Sequence, residues 1–115
     1  MAEPNSLMIR KAFVMSVKPG LEAEHEKRHS PIWPELASTL KEQGVLSYSI
    51  FLNPGTHQLF AYVELKDEAC WDALSQTPVC LRWWAYMKDI MIVNSDNSPA
   101  LTTLKEVFHI CPSPI

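Results

Sequence analysis

Cysteine is scarce in this chain of 115 residues. Cys70, Cys80 and Cys111 form an odd set with no C-x-x-C spacing. That argues against a disulfide framework and for reduced thiols in a cytoplasmic setting. Positive charge is also in short supply, the net charge being −3. Without a basic face the chain has little with which to displace counterions from a nucleic acid, so that class of partner is excluded. No basic amphipathic stretch suggests a membrane surface. No apolar run approaches the roughly 18 residues of a membrane-spanning helix. The N-terminus lacks the basic start and apolar block of a signal peptide. Internal repeats, linkers and low-complexity tracts are missing too. One domain is expected over residues 8–110, between a short extension at 1–7 and a loose tail at 111–115.

What is present is a chain with 47% apolar residues, enough for a real core. Met8 to Val17 alternates, with Ile9, Phe13, Met15 and Val17 on one side, and reads as a strand. Lys18-Pro19-Gly20 is a turn. Leu21 to His29 reads as a short helix with Glu24 and Arg28 paired four apart. Ser30 is expected to cap a second helix that starts at Pro31 and ends near Gln43, where Gly44 supplies a left-handed residue. Its buried stripe is Ile32, Leu36 and Leu40. Leu46 to Leu52 and Gln58 to Leu65 read as a hairpin around Asn53-Pro54-Gly55-Thr56. Asp67 caps a helix to Leu74, and Thr77-Pro78 opens another that carries Trp83, Trp84, Tyr86 and Met87. Asn94 to Pro99 is a polar loop, and Thr103 to Ile110 is expected as the last strand.

The order β-α-β-β-α-β is the ferredoxin-like pattern, an α+β fold with a four-stranded antiparallel sheet. Helices cover one face of such a sheet. Yet Leu59, Ala61, Val63 and Leu65 fall on one face, and Phe60 and Tyr62 on the other. An apolar face left open calls for a ligand or a second copy of the chain.

The chemistry concentrates in His25-Glu26-Lys27-Arg28-His29-Ser30-Pro31. His25 and His29 lie on one helix face, and the free imidazole titrates near neutral pH, at about 6.5. A histidine at a helix end beside Ile32 and Trp33 is suited to donate a proton to a small molecule. The same stretch matches H-E-x-x-H, the zinc protease motif. That reading fails on its charged variable positions, Lys27 and Arg28, on Pro31, and on the lack of a third ligand downstream. The simpler reading of His29 is a solvated helix end stabilised by the helix dipole. His57 is expected to be exposed in the hairpin turn, and His109 to sit on the last strand. Adjacent helix positions point about 100° apart, so one of Trp83 and Trp84 can fill the core while the other meets a pocket or a subunit. Tyr48 is expected at the sheet centre, where its phenol needs a hydrogen-bond partner.

Taken together, these blocks resemble the L-rhamnose mutarotase family. They are Ile9-Arg10-Lys11-Ala12-Phe13-Val14-Met15, the run from Arg28-His29 to Pro31-Ile32-Trp33-Pro34-Glu35-Leu36, and Arg82-Trp83-Trp84 with Tyr86-Met87 and Asp89-Ile90-Met91. Asn94, Asp96-Asn97-Ser98-Pro99 and Glu106-Val107-Phe108 complete the set. The resemblance implies a dimeric ferredoxin-like α/β barrel that interconverts the α and β anomers of L-rhamnose without cofactor or metal. It places the proton donor on His29 and the sugar contacts on Tyr48, Trp83 and Trp84. His25 stands where the family usually has a tyrosine, and is a substrate-binding candidate in its stead. The base that takes the anomeric proton is open among Asp89, Asp96, His25 and a water. Two other classes compete: a sugar-binding protein without turnover, and a cofactor-free oxygenase or isomerase on the same fold.

Overall fold

The structure is a computed structural model, and it describes residues 8–112. The expected N-terminal extension and the last three residues of the tail lie outside the described residues. Strand β1 (Ile9–Ser16) leads to helices α1 (Glu22–Arg28) and α2 (Pro34–Glu42), then to the hairpin of β2 (Val45–Asn53) and β3 (Gln58–Leu65). Helices α3 (Glu68–Leu74) and α4 (Pro78–Met87) precede the short strand β4 (Thr102–Leu104). The sheet runs β2-β3-β1-β4, antiparallel throughout, as the ferredoxin-like pattern requires.

Alternation along the strands decides which face is covered. Phe13, Met15, Leu59, Ala61, Val63 and Leu65 are buried, and Met87, Ile90 and Met91 close over them from the α4 side. The opposite face carries Val14 beside Phe60 and Phe60 beside Phe51 in the strand register. Phe51 is 65% exposed there. Gly20 and Gly44 take φ values of +87° and +84°, which end the first turn and α2 where the sequence places them. Asp67 accepts from the Cys70 amide at 3.0 Å, and Thr77 from the Cys80 amide at 3.4 Å, so both expected caps form.

Three expectations are corrected. The second helix begins at Pro34 rather than Pro31, with Trp33 as its uncapped first flank. The reason is Pro34 itself: its ring disfavours helical geometry in the preceding residue, and Trp33 sits at φ −56°, ψ 128°. The last strand is Thr102–Leu104, not Thr103–Ile110. Leu104 pairs with Ala12, near the start of β1, so the chain soon runs past the strand that could hold it. His109 therefore lies beyond the sheet, with Glu106 3.9 Å away. Tyr48, expected at the sheet centre, is on the edge strand β2 opposite Val63.

Candidate active site

Between the covered face of the sheet and the helices lies an open cavity of about 1010 Å³. That is at the top of the range of roughly 300–1,000 Å³ usual for small-molecule sites. All five residues singled out from sequence, His25, His29, Tyr48, Trp83 and Trp84, line it.

α1 supplies the polar wall. Glu22, His25, Glu26 and His29 all line the cavity, at the i, i+3, i+4, i+7 spacing of one helix face. His29 is the residue that ends the helix, at φ −94°, ψ −6°. The last carbonyls of a helix have no partner within it. His29 Nδ1 meets one of them, His25 O, at 2.8 Å. A carbonyl only accepts, so Nδ1 carries the hydrogen. Nε2 is then the nitrogen left free, able to accept a proton when the ring is neutral and to donate one when it is charged.

The His25 ring lies 4.4 Å from that of His29, at an interplanar angle of 34°. His25 is 8% exposed. Burial, and then the neighbouring His29 charge, lower its pKa to about 4. The two imidazoles cannot comfortably be charged together, and His25 is the one held neutral. This has a consequence for stability. Between the ordinary value of 6.5 and about 4, the unfolded chain binds a proton at His25 that the fold refuses. Stability should therefore fall as pH drops through that window, by about 3 kcal/mol. Urea melts at pH 7, 5.5 and 4 should show the slope, and His25→Tyr should flatten it. An equal slope in the variant would assign the effect elsewhere.

The sheet and α4 supply the aromatic wall. Trp83 packs on the core and stands edge-on to His29, with centroids 5.2 Å apart. It also meets Trp33 at 5.1 Å and Tyr86 at 5.6 Å. Trp84, one residue on, faces the cavity without belonging to that cluster. Tyr48 lies between Phe13 and Trp71, with centroids 6.4 and 6.1 Å away. The residue is 36% exposed where it opens on the cavity, and the desolvation it does suffer raises its pKa above the ordinary value. Its hydroxyl has no hydrogen-bond partner among the described residues. Such a group can serve a sugar hydroxyl as donor or acceptor.

The structure also sorts the open base candidates. Asp89 and Asp96 do not line the cavity. Asp89 is held by Arg28, and Asp96 by Ser98, and each carboxyl is lowered by that partner. The carboxylates that do line it are Glu22, Glu26 and Asp72; Glu26 stands in the H-E-x-x-H match, while Glu22 and Asp72 belong to no motif. The helical spacing from His29 back to Glu22 was the available signal. His57 is not a simple exposed turn residue. It takes φ +61°, and its Nδ1 pairs with the Glu22 carboxylate. Among the described residues, no three His, Cys, Asp or Glu side chains gather as a metal site would need.

Fold and cavity together define the class: a small ferredoxin-like α+β protein with a histidine-bearing, aromatic-walled pocket for a small molecule. The sequence model of the L-rhamnose mutarotase family matches residues 10–110. L-rhamnose mutarotases of Opitutus terrae and Tolumonas auensis are 61% and 59% identical over 103 residues, each match spanning 90% of this chain and 99% of the relative. The crystal structure of an L-rhamnose mutarotase from Formosa agariphila superposes with a TM-score of 0.82 at 39% identity, over 89% of this chain and 98% of that one. An antibiotic biosynthesis monooxygenase aligns with a TM-score of 0.58 at 15% identity, over 86% and 99%, a likeness of fold alone. The chain belongs to the L-rhamnose mutarotase family, and is thus a carbohydrate isomerase.

Proposed function

We infer that this isomerase exchanges the α and β anomers of L-rhamnose by general acid–base opening and closure of the sugar ring, with His29 as the proton donor. The observation that carries the reading is the His29 imidazole at the cavity wall, its Nδ1 committed to His25 O at 2.8 Å and its Nε2 left for substrate. Charged His29 gives the Nε2 proton to the ring oxygen as the bond from that oxygen to the anomeric carbon breaks. The anomeric hydroxyl loses its proton, and the open-chain aldehyde results. Rotation about the adjacent carbon–carbon bond and closure on the other face reverse these transfers, and the neutral imidazole takes its proton back. Glu22 is engaged by His57; of the other two lining carboxylates, Glu26 and Asp72, Glu26 shares the helix face of His29 one turn before it, and is taken as the acceptor for the anomeric proton. A positioned general acid or base in this role is commonly worth about 10²–10⁴-fold.

The two walls suit a 6-deoxy sugar. Indole faces at Trp83 and Trp84 fit its methyl group and C–H surfaces, while Tyr48 and His25 can hold hydroxyls. No step calls for a metal or redox cofactor. Proton NMR of equilibrated L-rhamnose tests the reading: enzyme should produce saturation transfer between the two anomeric signals. Binding without enhanced exchange would make the protein a sugar carrier instead.

The working unit of this reading is a homodimer. The open sheet face carries Phe51, Phe60 and Val14, and the segment after β4 presents Val107 and Phe108, 86% and 76% exposed. A second copy seated on that face would bury both and close the barrel. Light scattering should give about twice the 13.1 kDa of one chain, and Phe60→Glu should shift it to the single mass. A wild-type monomer at micromolar concentration would overturn the dimer.

A further inference from the structure

Between its caps helix α1 has no large apolar side chain with which to dock; its one apolar anchor is Leu21 at the N-cap, packed on the core. Its sequence, Glu-Ala-Glu-His-Glu-Lys-Arg, contains no large apolar side chain, and its sole buried residue is His25. A surface helix is ordinarily held by an apolar stripe. This one carries the imidazole pair, so beyond Leu21 something else must fix its far end. Polar clamps at its two ends do so. At the start, Glu22 pairs with His57 of the β2–β3 turn. At the end, Arg28 binds in five ways. Its Nε donates to Glu24 Oε2 at 2.8 Å, and Nη1 to the Tyr86 carbonyl at 2.6 Å. Nη1 and Nη2 fork onto the two oxygens of Asp89, at 2.9 and 3.2 Å. The guanidinium also lies over the Tyr86 ring, 4.6 Å from its centroid. The Arg28 side chain is only 12% exposed.

The clamp closes on the end of α4, which is also where the aromatic wall begins. Trp83, one turn before Tyr86, is the residue that meets His29 at 5.2 Å. We propose that Arg28 is a positioning residue, which sets His29 against the tryptophan wall by stapling the end of α1 to Tyr86 and Asp89. Asp89 on this view is an anchor and not the catalytic base. The proposal rests on the reading of His29 as proton donor. A lysine cannot replace the arginine, because an ammonium is a point charge and cannot fork onto a carboxylate while donating to a carbonyl beside it.

The test measures kcat and KM for anomer exchange by saturation transfer at several L-rhamnose concentrations, in the full chain at low temperature. Misplacing a catalytic group by about 1 Å can cost about 100-fold. Arg28→Met is therefore expected to lower kcat by about 10–100-fold, with KM changed far less. Arg28→Lys should retain charge and fold but recover only part of kcat. Asp89→Ala should match Arg28→Met, and the double variant should be no slower than either, because one clamp is broken once. Glu35→Gln, which breaks the exposed Arg82–Glu35 pair, should leave the rate unchanged. Wild-type kcat in Arg28→Lys, or additive losses in the double variant, would overturn the clamp. His29→Ala run alongside separates the two levels. Normal exchange in it sinks the assignment of the donor, and the positioning role with it. A silent His29→Ala with an unaffected Arg28→Lys sinks only the positioning role.

Discussion

Replacing His29 by alanine is expected to abolish catalysed anomer exchange while the chain stays folded. The side chain is at a helix end, where its one fixed bond is to a carbonyl of its own helix. Losing that bond is a modest loss, about 0.5–1.5 kcal/mol. The catalytic loss is of another order. Without the imidazole, opening of the ring must rely on water to protonate the ring oxygen, at a cost of about 10²–10⁴-fold. Line shapes and saturation transfer at the anomeric protons would fall to the uncatalysed level, while circular dichroism would keep the folded spectrum and the melting temperature would fall by only several degrees. His29→Gln refines the result. Its amide can imitate the neutral ring's hydrogen bonds but cannot carry a transferable proton near neutral pH, so it should be as inactive as alanine. Residual exchange near wild type in either variant would move the donor to another cavity group, with Glu26 the first to examine.

The second large effect separates two residues that adjoin in sequence. Trp83→Ala should cost both stability and activity, and Trp84→Ala mainly affinity. Trp83 is packed on the core and touches His29, Trp33 and Tyr86. Deleting a large side chain from such a place typically costs about 3 kcal/mol or more. It also removes the surface against which the His29 ring rests, so kcat should fall in the fraction that remains folded. Trp84 lines the cavity outside that aromatic cluster. Its loss should raise the apparent KM for L-rhamnose with little change in melting temperature. A Trp84→Ala variant of unchanged affinity would place the sugar elsewhere in the cavity.

Much of the fold was legible because its signals are local. Alternation in β1 and β3, the left-handed glycines at 20 and 44, and the Asp67 and Thr77 caps each depend on a few neighbouring residues. Errors arose where a local signal met a distant or competing one. Ser30-Pro31 is a good helix start taken alone, but Pro34 overrides it through Trp33. Thr103 to Ile110 has strand composition, yet a strand needs a backbone neighbour, and the ladder with β1 stops at the Ala12–Leu104 pair. At the site, His25 and His29 were legible from their spacing. Glu22 followed the same helical rule but carried no motif, and Glu26 stood only in the H-E-x-x-H match that the charged positions Lys27 and Arg28 argue against. The Arg28–Asp89 and Glu22–His57 contacts join residues far apart in the chain, which no periodicity could reveal.

By itself, then, the sequence determined the element order, the covered and open faces of the sheet, and the family to which the chain belongs. Each of those is written in short-range pattern or in the identity of residues. Tertiary structure alone decided which carboxylates face the cavity, which imidazole stays neutral and which tryptophan stands against His29. Those properties follow from distance and desolvation between segments that meet only when the chain folds.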